Sequence, residues 1–204
     1  MTTSIFGSAS KCRPKILIVS TSATRESCDG RLTALATKRL AAENAVLTVL
    51  NLTEYPLPLY PDRIDLPEDV PLEARSLHKL ALRQNGVLLV TTARHGYLPK
   101  LLVNAIAWLG AIEAERRQSP ERLRPVYALA ALSADGFGVD VAALKMRVSI
   151  EIDLKVAFLS TVLVRHACQA FDEAGELRDG RRVAALEHLT MQLVADSQCD
   201  AVSG

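Results

Sequence analysis

The stretch Lys15-Ile-Leu-Ile-Val-Ser20, running into Thr21-Ser-Ala-Thr-Arg-Glu-Ser-Cys-Asp-Gly30, decides the architecture. Its first half is an apolar run without polar alternation, bounded by polar residues. Such a run is a strand covered on both faces, as the strands of parallel sheets are. Its second half offers hydroxyls, the Arg25 guanidinium and two helix-capping candidates, Ser27 and Asp29. Beyond it, Leu32, Leu35, Ala36 and Leu40 form one stripe within residues 30–43, the spacing of an amphipathic helix.

The same apolar pattern recurs at 45–50, at Gly86-Val-Leu-Leu-Val-Thr91, at 126–132 and at 158–164. Helical stretches are expected between and after these strands, at 71–84, 99–112, about 139–154 and 180–195. Strands alternating with helices specify an α/β domain. Five strands select the flavodoxin-like form, a doubly wound five-stranded parallel sheet with helices on both faces. In that form ligands bind beyond the carboxyl ends of the strands. Residues 148–156 alternate strictly, as a strand does, but parallel neighbours need a crossover, so helix is expected there. Pro56, Pro58, Pro61 and Pro67 make 52–70 a surface loop. Helix 99–112 is apolar almost all round, with Lys100 and Asn104 the main exceptions. Its second face is expected in a subunit interface, giving a homodimer or homotetramer; a cover of loops is the alternative.

The chain has 204 residues, 49% of them hydrophobic, which suits one domain over 15–196 with a mobile arm at 1–14 and a tail at 197–204. Its 24 basic residues balance 23 acidic ones, and that near-neutrality excludes a dedicated nucleic-acid binder. The balance is uneven: residues 1–45 hold seven basic and three acidic side chains, residues 46–75 two and six. A basic first third fits an anion site near the N-terminus. Four cysteines without a CxxC pair, and no hydrophobic signal core, lead to the expectation of a cytoplasmic protein. No apolar run approaches the roughly 20 residues a membrane span needs, so no membrane partner is expected. His166-x-Cys168 lacks a second ligand pair, and no metal is expected. His78 and His188 are placed on solvated helix faces, and Trp108 in the core or an interface.

Three loops can carry chemistry. The first, 21–30, suits a phosphate, because orphan N–H groups and the helix dipole both favour an anion. It is neither a Walker A loop nor a GxGxxG fingerprint. A Cys-x5-Arg phosphatase loop fails as well, since the arginine position counted from Cys28 is Ala34. The second loop is Thr92-Ala-Arg-His-Gly-Tyr-Leu-Pro99, and the third is Ser133-Ala-Asp-Gly-Phe-Gly138.

The order of these pieces resembles the NADPH-dependent FMN reductase family. That family has a Gly-Ser-Leu-Arg-type loop with a later Ser-x-Asn, a Leu-Pro-Leu-Tyr stretch, and a T-P-E-Y-N-G-S-I-P loop entering a K-N-A-x-D-W-L helix. A glycine-rich loop follows. Here stand Ser22 and Ser27, Leu57-Pro-Leu-Tyr60, Gly96-Tyr-Leu-Pro99, Asn104-Ala-Ile-Ala-Trp-Leu109 and Gly136-Phe-Gly138. Phe171-Asp-Glu-Ala-Gly-Glu-Leu177 resembles the family's closing hairpin, and the likeness covers about 15–195. Ala93-Arg-His-Gly96 is similar to the E-R-H-G of the arsenical-resistance flavoprotein branch.

The resemblance implies an FMN-dependent NAD(P)H oxidoreductase, passing hydride from NADPH or NADH through FMN to a small-molecule acceptor such as a quinone or flavin. Ser22, Arg25 and Ser27 would hold the FMN phosphate. Ala93, Arg94, His95, Gly96 and Tyr97 would lie along the flavin edge, with Ser133 and Gly136 approaching from the other side. No catalytic side chain is implied, because the flavin does the hydride chemistry. The chain departs from the family pattern at Thr21 and Thr24, at Asp29 where asparagine stands, at Thr92 and Ala93, and at Asp135. Asp29 either caps the first helix or faces the phosphate. The alternative to an enzyme is a binding or scaffold protein that kept the fold and lost tight FMN binding.

Overall fold

A computed structural model describes residues 13–21, 24–61, 69–115, 124–134 and 138–197. Five strands run in chain order: β1 (Lys15–Ser20), β2 (Val46–Asn51), β3 (Gly86–Ala93), β4 (Val126–Ser133) and β5 (Phe158–Val164). They form one parallel sheet of order β2-β1-β3-β4-β5. Five helices alternate with them: α1 (Cys28–Ala42), α2 (Leu72–Leu82), α3 (Lys100–Glu115), α4 (Val139–Ser149) and α5 (Gly180–Asp196). The expected flavodoxin-like α/β architecture is therefore the observed one. The arm and the tail fall outside the described residues, apart from Arg13, Pro14 and Ser197.

Strand pleating sorts the core into two layers. On β1, Leu17 and Val19 turn toward α2, α3 and α4, while Ile16 and Ile18 turn toward α1 and α5. Both sets are buried, which explains an apolar run without polar alternation. On α1 the expected stripe is the buried face, and Leu32, Ala36 and Leu40 are fully covered. Each such leucine stabilises the fold by about 2 kcal/mol.

The alternating segment after α4 resolves as helix. A π-helical turn extends α4 over Ile150–Leu154 and ends at Lys155, whose φ of 52° breaks it. Ile150 and Leu154, four apart, are buried, while Ile152 between them is exposed. The helical period thus decides the burial. The turn packs on α3, where a side chain at Gly110 would come within 3.0 Å of Asp153 Cβ.

The described part of the proline-rich loop, around Pro58 and Tyr60, lies over α3. Asn104 donates to the Pro58 carbonyl at 2.9 Å and accepts from Tyr60 N–H at 2.7 Å. The Trp108 indole donates to the same carbonyl at 2.8 Å, and its ring meets Tyr60 edge-on. One side of the apolar helix is thus covered within the chain, whereas Leu101 and Val103 face outward.

His78 is not solvated. It is buried on α2 with Nε2 2.5 Å from Glu113 Oε1 of α3, and Arg124 reaches Glu113 Oε2 at 3.1 Å. The cluster closes the amino edge of the sheet. Burial, reinforced by the Glu113 charge, pushes the Tyr127 phenol well above its ordinary pKa.

Candidate functional site

The strand order reverses between β1 and β3, which opens a crevice at the carboxyl edge. The first loop spans its mouth. Thr21 N–H donates to the Val90 carbonyl at 3.3 Å, and its hydroxyl lies 3.0 Å from that of Thr91. The same Thr21 hydroxyl donates to Asp29 Oδ2 at 3.4 Å. Asp29 therefore does not cap α1 with its side chain. Ser27 does, accepting from Gly30 N–H at 3.1 Å and donating to the Thr24 carbonyl at 2.6 Å. Asp29 sits in the first helical turn and leans toward the crevice.

Gly30 makes this close turn possible. A Cβ there would lie 2.2 Å from Thr24 O and 2.8 Å from Arg25 O, so only glycine lets the loop fold back onto the helix start. Arg25 is exposed, and its side chain has no partner among the described residues. With Ser20, Thr24 and Thr33 it lines a cavity of about 630 Å³ that reaches Lys38 and Asn51. Ser22 lies outside the described residues.

The second loop is a two-residue hairpin turn. Arg94 N–H donates to Tyr97 O and Tyr97 N–H to Arg94 O, both at 2.9 Å. His95 (φ 50°) and Gly96 (φ 76°) both take the left-handed conformation, as a type I′ turn requires. Histidine, with asparagine and aspartate, is among the residues that tolerate it best, so His-Gly can stand where the family has Asn-Gly. Ala93 is buried in β3. Arg94, His95 and Tyr97 are exposed, and Lys145 Nζ lies 5.6 Å from the Tyr97 ring centroid.

Gly138, at the end of the third loop, approaches the backbone of the second loop closely. Gly138 also has positive φ (67°), and a Cβ on it would come 2.5 Å from Gly96 Cα and 2.7 Å from Gly96 N. Ser133 is fully buried, in register with Ala93. Gly136 and Asp135 lie outside the described residues. Adjacent strands thus bring Arg25 and Ser27, the 93–97 turn and Ser133 to one edge of the sheet.

Sequence reasoning places Thr21 and Gly138 in the loops without giving either a contact at this edge, and it misses Thr91. The Gly136-Phe-Gly138 spacing held a usable signal for Gly138. The threonines meet only through the register of β1 on β3, which the sequence does not display.

A parallel sheet with a ligand crevice at its switch point defines a flavodoxin-like protein. The sequence model described as NADPH-dependent FMN reductase matches residues 14–169, and the chain belongs to that family. Among solved structures it is similar to FerB, a flavoenzyme NAD(P)H:(acceptor) oxidoreductase from Paracoccus denitrificans. The identity is 19%, the cover 91% of this chain and 97% of that one, and the TM-score 0.63. An FMN-dependent NADH-azoreductase from Bacillus anthracis matches at 10% identity over 90% and 100% of the two chains, with a TM-score of 0.62. The azoreductase AzrA matches at 17% identity over 89% and 99%, with a TM-score of 0.57. No curated protein sequence matches.

The residues present fit FMN with one reservation of charge. The Gly96–Gly138 contact keeps side chains away from the plane where a ring would lie. The Arg25 guanidinium, without a partner among the described residues and beside the start of α1, suits a phosphate. Asp29, in the same helical turn, carries the opposite sign to the one a phosphate needs.

Proposed function

We propose that the chain is an FMN-dependent NAD(P)H oxidoreductase of the flavin or quinone reductase type, acting on a small acceptor. The observation that carries this reading is the meeting of the second and third loops at Gly96 and Gly138, beside a capped helix start bearing Arg25. FMN, when bound, supplies the two-electron chemistry, accepting hydride from the nicotinamide and delivering electrons to the acceptor. Arg25, the Ser27 turn and Ser22 hold the phosphate. The backbone of Arg94, His95 and Gly96 borders the ring on one side, and Ser133 and Gly136 border it on the other. Exposed Tyr97 covers the open face from which the nicotinamide and the acceptor approach.

Titration with FMN, followed by absorbance and by NADPH oxidation with a small quinone, tests the proposal. Saturable binding with turnover supports it. A colourless protein that neither binds FMN nor oxidises NADPH overturns it. Asp29 favours the second reading, a scaffold that has lost tight FMN binding; submicromolar affinity in the wild type excludes that one.

The protein is further proposed to be a homodimer or homotetramer built on α3. Exposed Val103, with Leu144 and Val148 of α4, borders an apolar groove of about 620 Å³, which suits a second copy. A monomer by light scattering at micromolar concentration contradicts this. The proposed setting is the cytoplasm, on the strength of the cysteine usage. Among the described residues, no helix is long and apolar enough to cross a membrane.

A further inference from the structure

At the head of α5, three arginines from residues 165–182 converge. Arg165 follows β5, Arg178 follows the Phe171–Leu177 hairpin, and Arg182 lies in the first turn of α5; with His166 they line a cavity of about 370 Å³. That volume is in the range of small-molecule sites. Each guanidinium is anchored by contacts that leave other donors over. Arg178 Nε donates to the Phe171 carbonyl at 2.9 Å, while its two terminal nitrogens have no partner among the described residues. Arg182 donates to the Leu163 carbonyl, and its Nε stands 3.7 Å from Asp179. Arg165 pairs with Asp140 at 2.7 Å. Asp179 is the one carboxylate in the lining, and it also accepts from Arg181 N–H as the cap of α5. The cavity is therefore cationic and its forks are fixed in advance, which suits a phosphate dianion.

Its position adds to its charge. Leu132 of β4 pairs with Val164 of β5, so Arg165 comes abreast of Ser133 on the neighbouring strand, about 5 Å away. The Arg165–Asp140 bridge ties the cavity wall to the start of α4, two residues beyond Gly138. The cavity thus opens one strand past the loops assigned to the flavin ring, on the side away from Arg25. A donor dinucleotide whose nicotinamide stacks on that ring has to carry its own phosphates away from the FMN phosphate at β1. The route along the edge leads to β5.

We propose that this arginine pocket binds the phosphate-bearing adenosine end of the nicotinamide donor, and that it selects NADPH over NADH through the 2′-phosphate. The inference rests on the oxidoreductase reading for its ligand, yet binding can be measured without flavin or turnover. Calorimetric titration of the purified chain with adenosine 2′,5′-bisphosphate, beside 5′-AMP and inorganic phosphate, is the direct experiment. The bisphosphate is expected to bind at least about tenfold more tightly than either of the others. Arg178→Gln is expected to remove that advantage and to lower the NADPH-over-NADH ratio of kcat/KM by about tenfold. Arg165→Gln, which gives up only an exposed ion pair, is a second variant in case Arg178→Gln weakens the hairpin, and it should act in the same direction. Equal affinity for bisphosphate and 5′-AMP overturns the proposal. So does a loss at Arg94→Gln with none at Arg178→Gln or Arg165→Gln, because the 2′-phosphate then lies at the second loop. Arginine-dependent bisphosphate binding without NADPH oxidation upholds the pocket and sinks the oxidoreductase reading. Turnover with equal use of NADPH and NADH does the reverse.

Discussion

The two edges of the sheet treat charge in opposite ways. At the amino edge, His78, Glu113 and Arg124 are drawn together: the buried carboxylate meets both the imidazole and the guanidinium. At the carboxyl edge, Arg25 and Arg94 stand in water with no side-chain partner among the described residues, and Asp29 is held only by a long contact to Thr21. Charges that neutralise one another inside the protein belong to its stability. Charges left over at the loop ends can act on a ligand. The difference separates the two kinds of mutational effect that the molecule should show.

The sharpest way to break the comparison is at the amino edge. Glu113→Ala strands a buried imidazole and a guanidinium, and losing one partner of a buried pair costs about 3–5 kcal/mol. For a chain of this size that lowers Tm by about 10 °C in a thermal melt. FMN affinity, measured well below the new midpoint, should stay as in the wild type. A parallel loss of affinity would mean that the two edges are coupled.

Next comes the backbone contact at the opposite edge. Gly138→Ala adds a Cβ 2.5 Å from Gly96 Cα at a φ of 67°, so the two loops must part. Flavin affinity is expected to fall by about 100-fold, or roughly 2.7 kcal/mol, while Tm drops by only a few degrees. Gly175→Ala is the control. It suffers the same kind of backbone strain at φ 80°, but its Cβ would have nothing within 4 Å. A comparable loss of affinity there would show that strain, and not the clash, is responsible.

These glycines also mark how far the sequence is legible. The five strands and most helix positions follow from hydrophobic period, because burial on both faces leaves its pattern in the chain. The 148–156 segment shows the limit: its local alternation suggests a strand, and only the need for a crossover makes it helix. His78 was misplaced for a related reason. A helical wheel cannot show that Glu113, on another helix, lies opposite it. At the site, the order of loops is legible, and Ser27 stands where a cap was expected. The direction of the Asp29 side chain is not, since it depends on where β1 and β3 bring Thr21 and Thr91. The arginine pocket is less legible still, being assembled from three separate segments.

A smaller effect should follow from Asp29. Its charge lies in the first turn of α1 and leans toward the proposed phosphate position. Two like charges about 4 Å apart repel by roughly 4 kcal/mol at an effective dielectric near 20, and solvent exposure reduces that. Asp29→Asn keeps an acceptor for the Thr21 hydroxyl while removing the charge. FMN should bind about tenfold more tightly, read by fluorescence quenching at fixed ionic strength. An unchanged affinity would show that the carboxylate faces away from the phosphate, and the charge contrast between the edges would then rest on Arg25 and Arg94 alone.

The smallest expected effect is at an exposed ion pair on α1, and it sets the scale for a pair outside the buried cluster. Glu176, in the closing hairpin, meets Lys38 at 2.5 Å and Arg39 at 3.1 Å on α1. The Lys38 hydrogen bond, with help from Arg39, holds the Glu176 carboxyl below the ordinary range. A carboxyl depressed in the folded state stabilises the fold above the unfolded pKa of about 4.3, and that contribution disappears as pH falls through the lower, folded value. Lys38 is largely exposed, so Lys38→Ala should lower Tm by only about 1–2 °C at pH 7. The gap between the variant and the wild type should close when the melts are repeated below pH 4. A gap that persists at low pH would assign the stabilisation to the packing of the lysine stem along α1 rather than to the ion pair. A drop at pH 7 as large as that of Glu113→Ala would remove the distinction between buried and exposed charge on which the comparison stands.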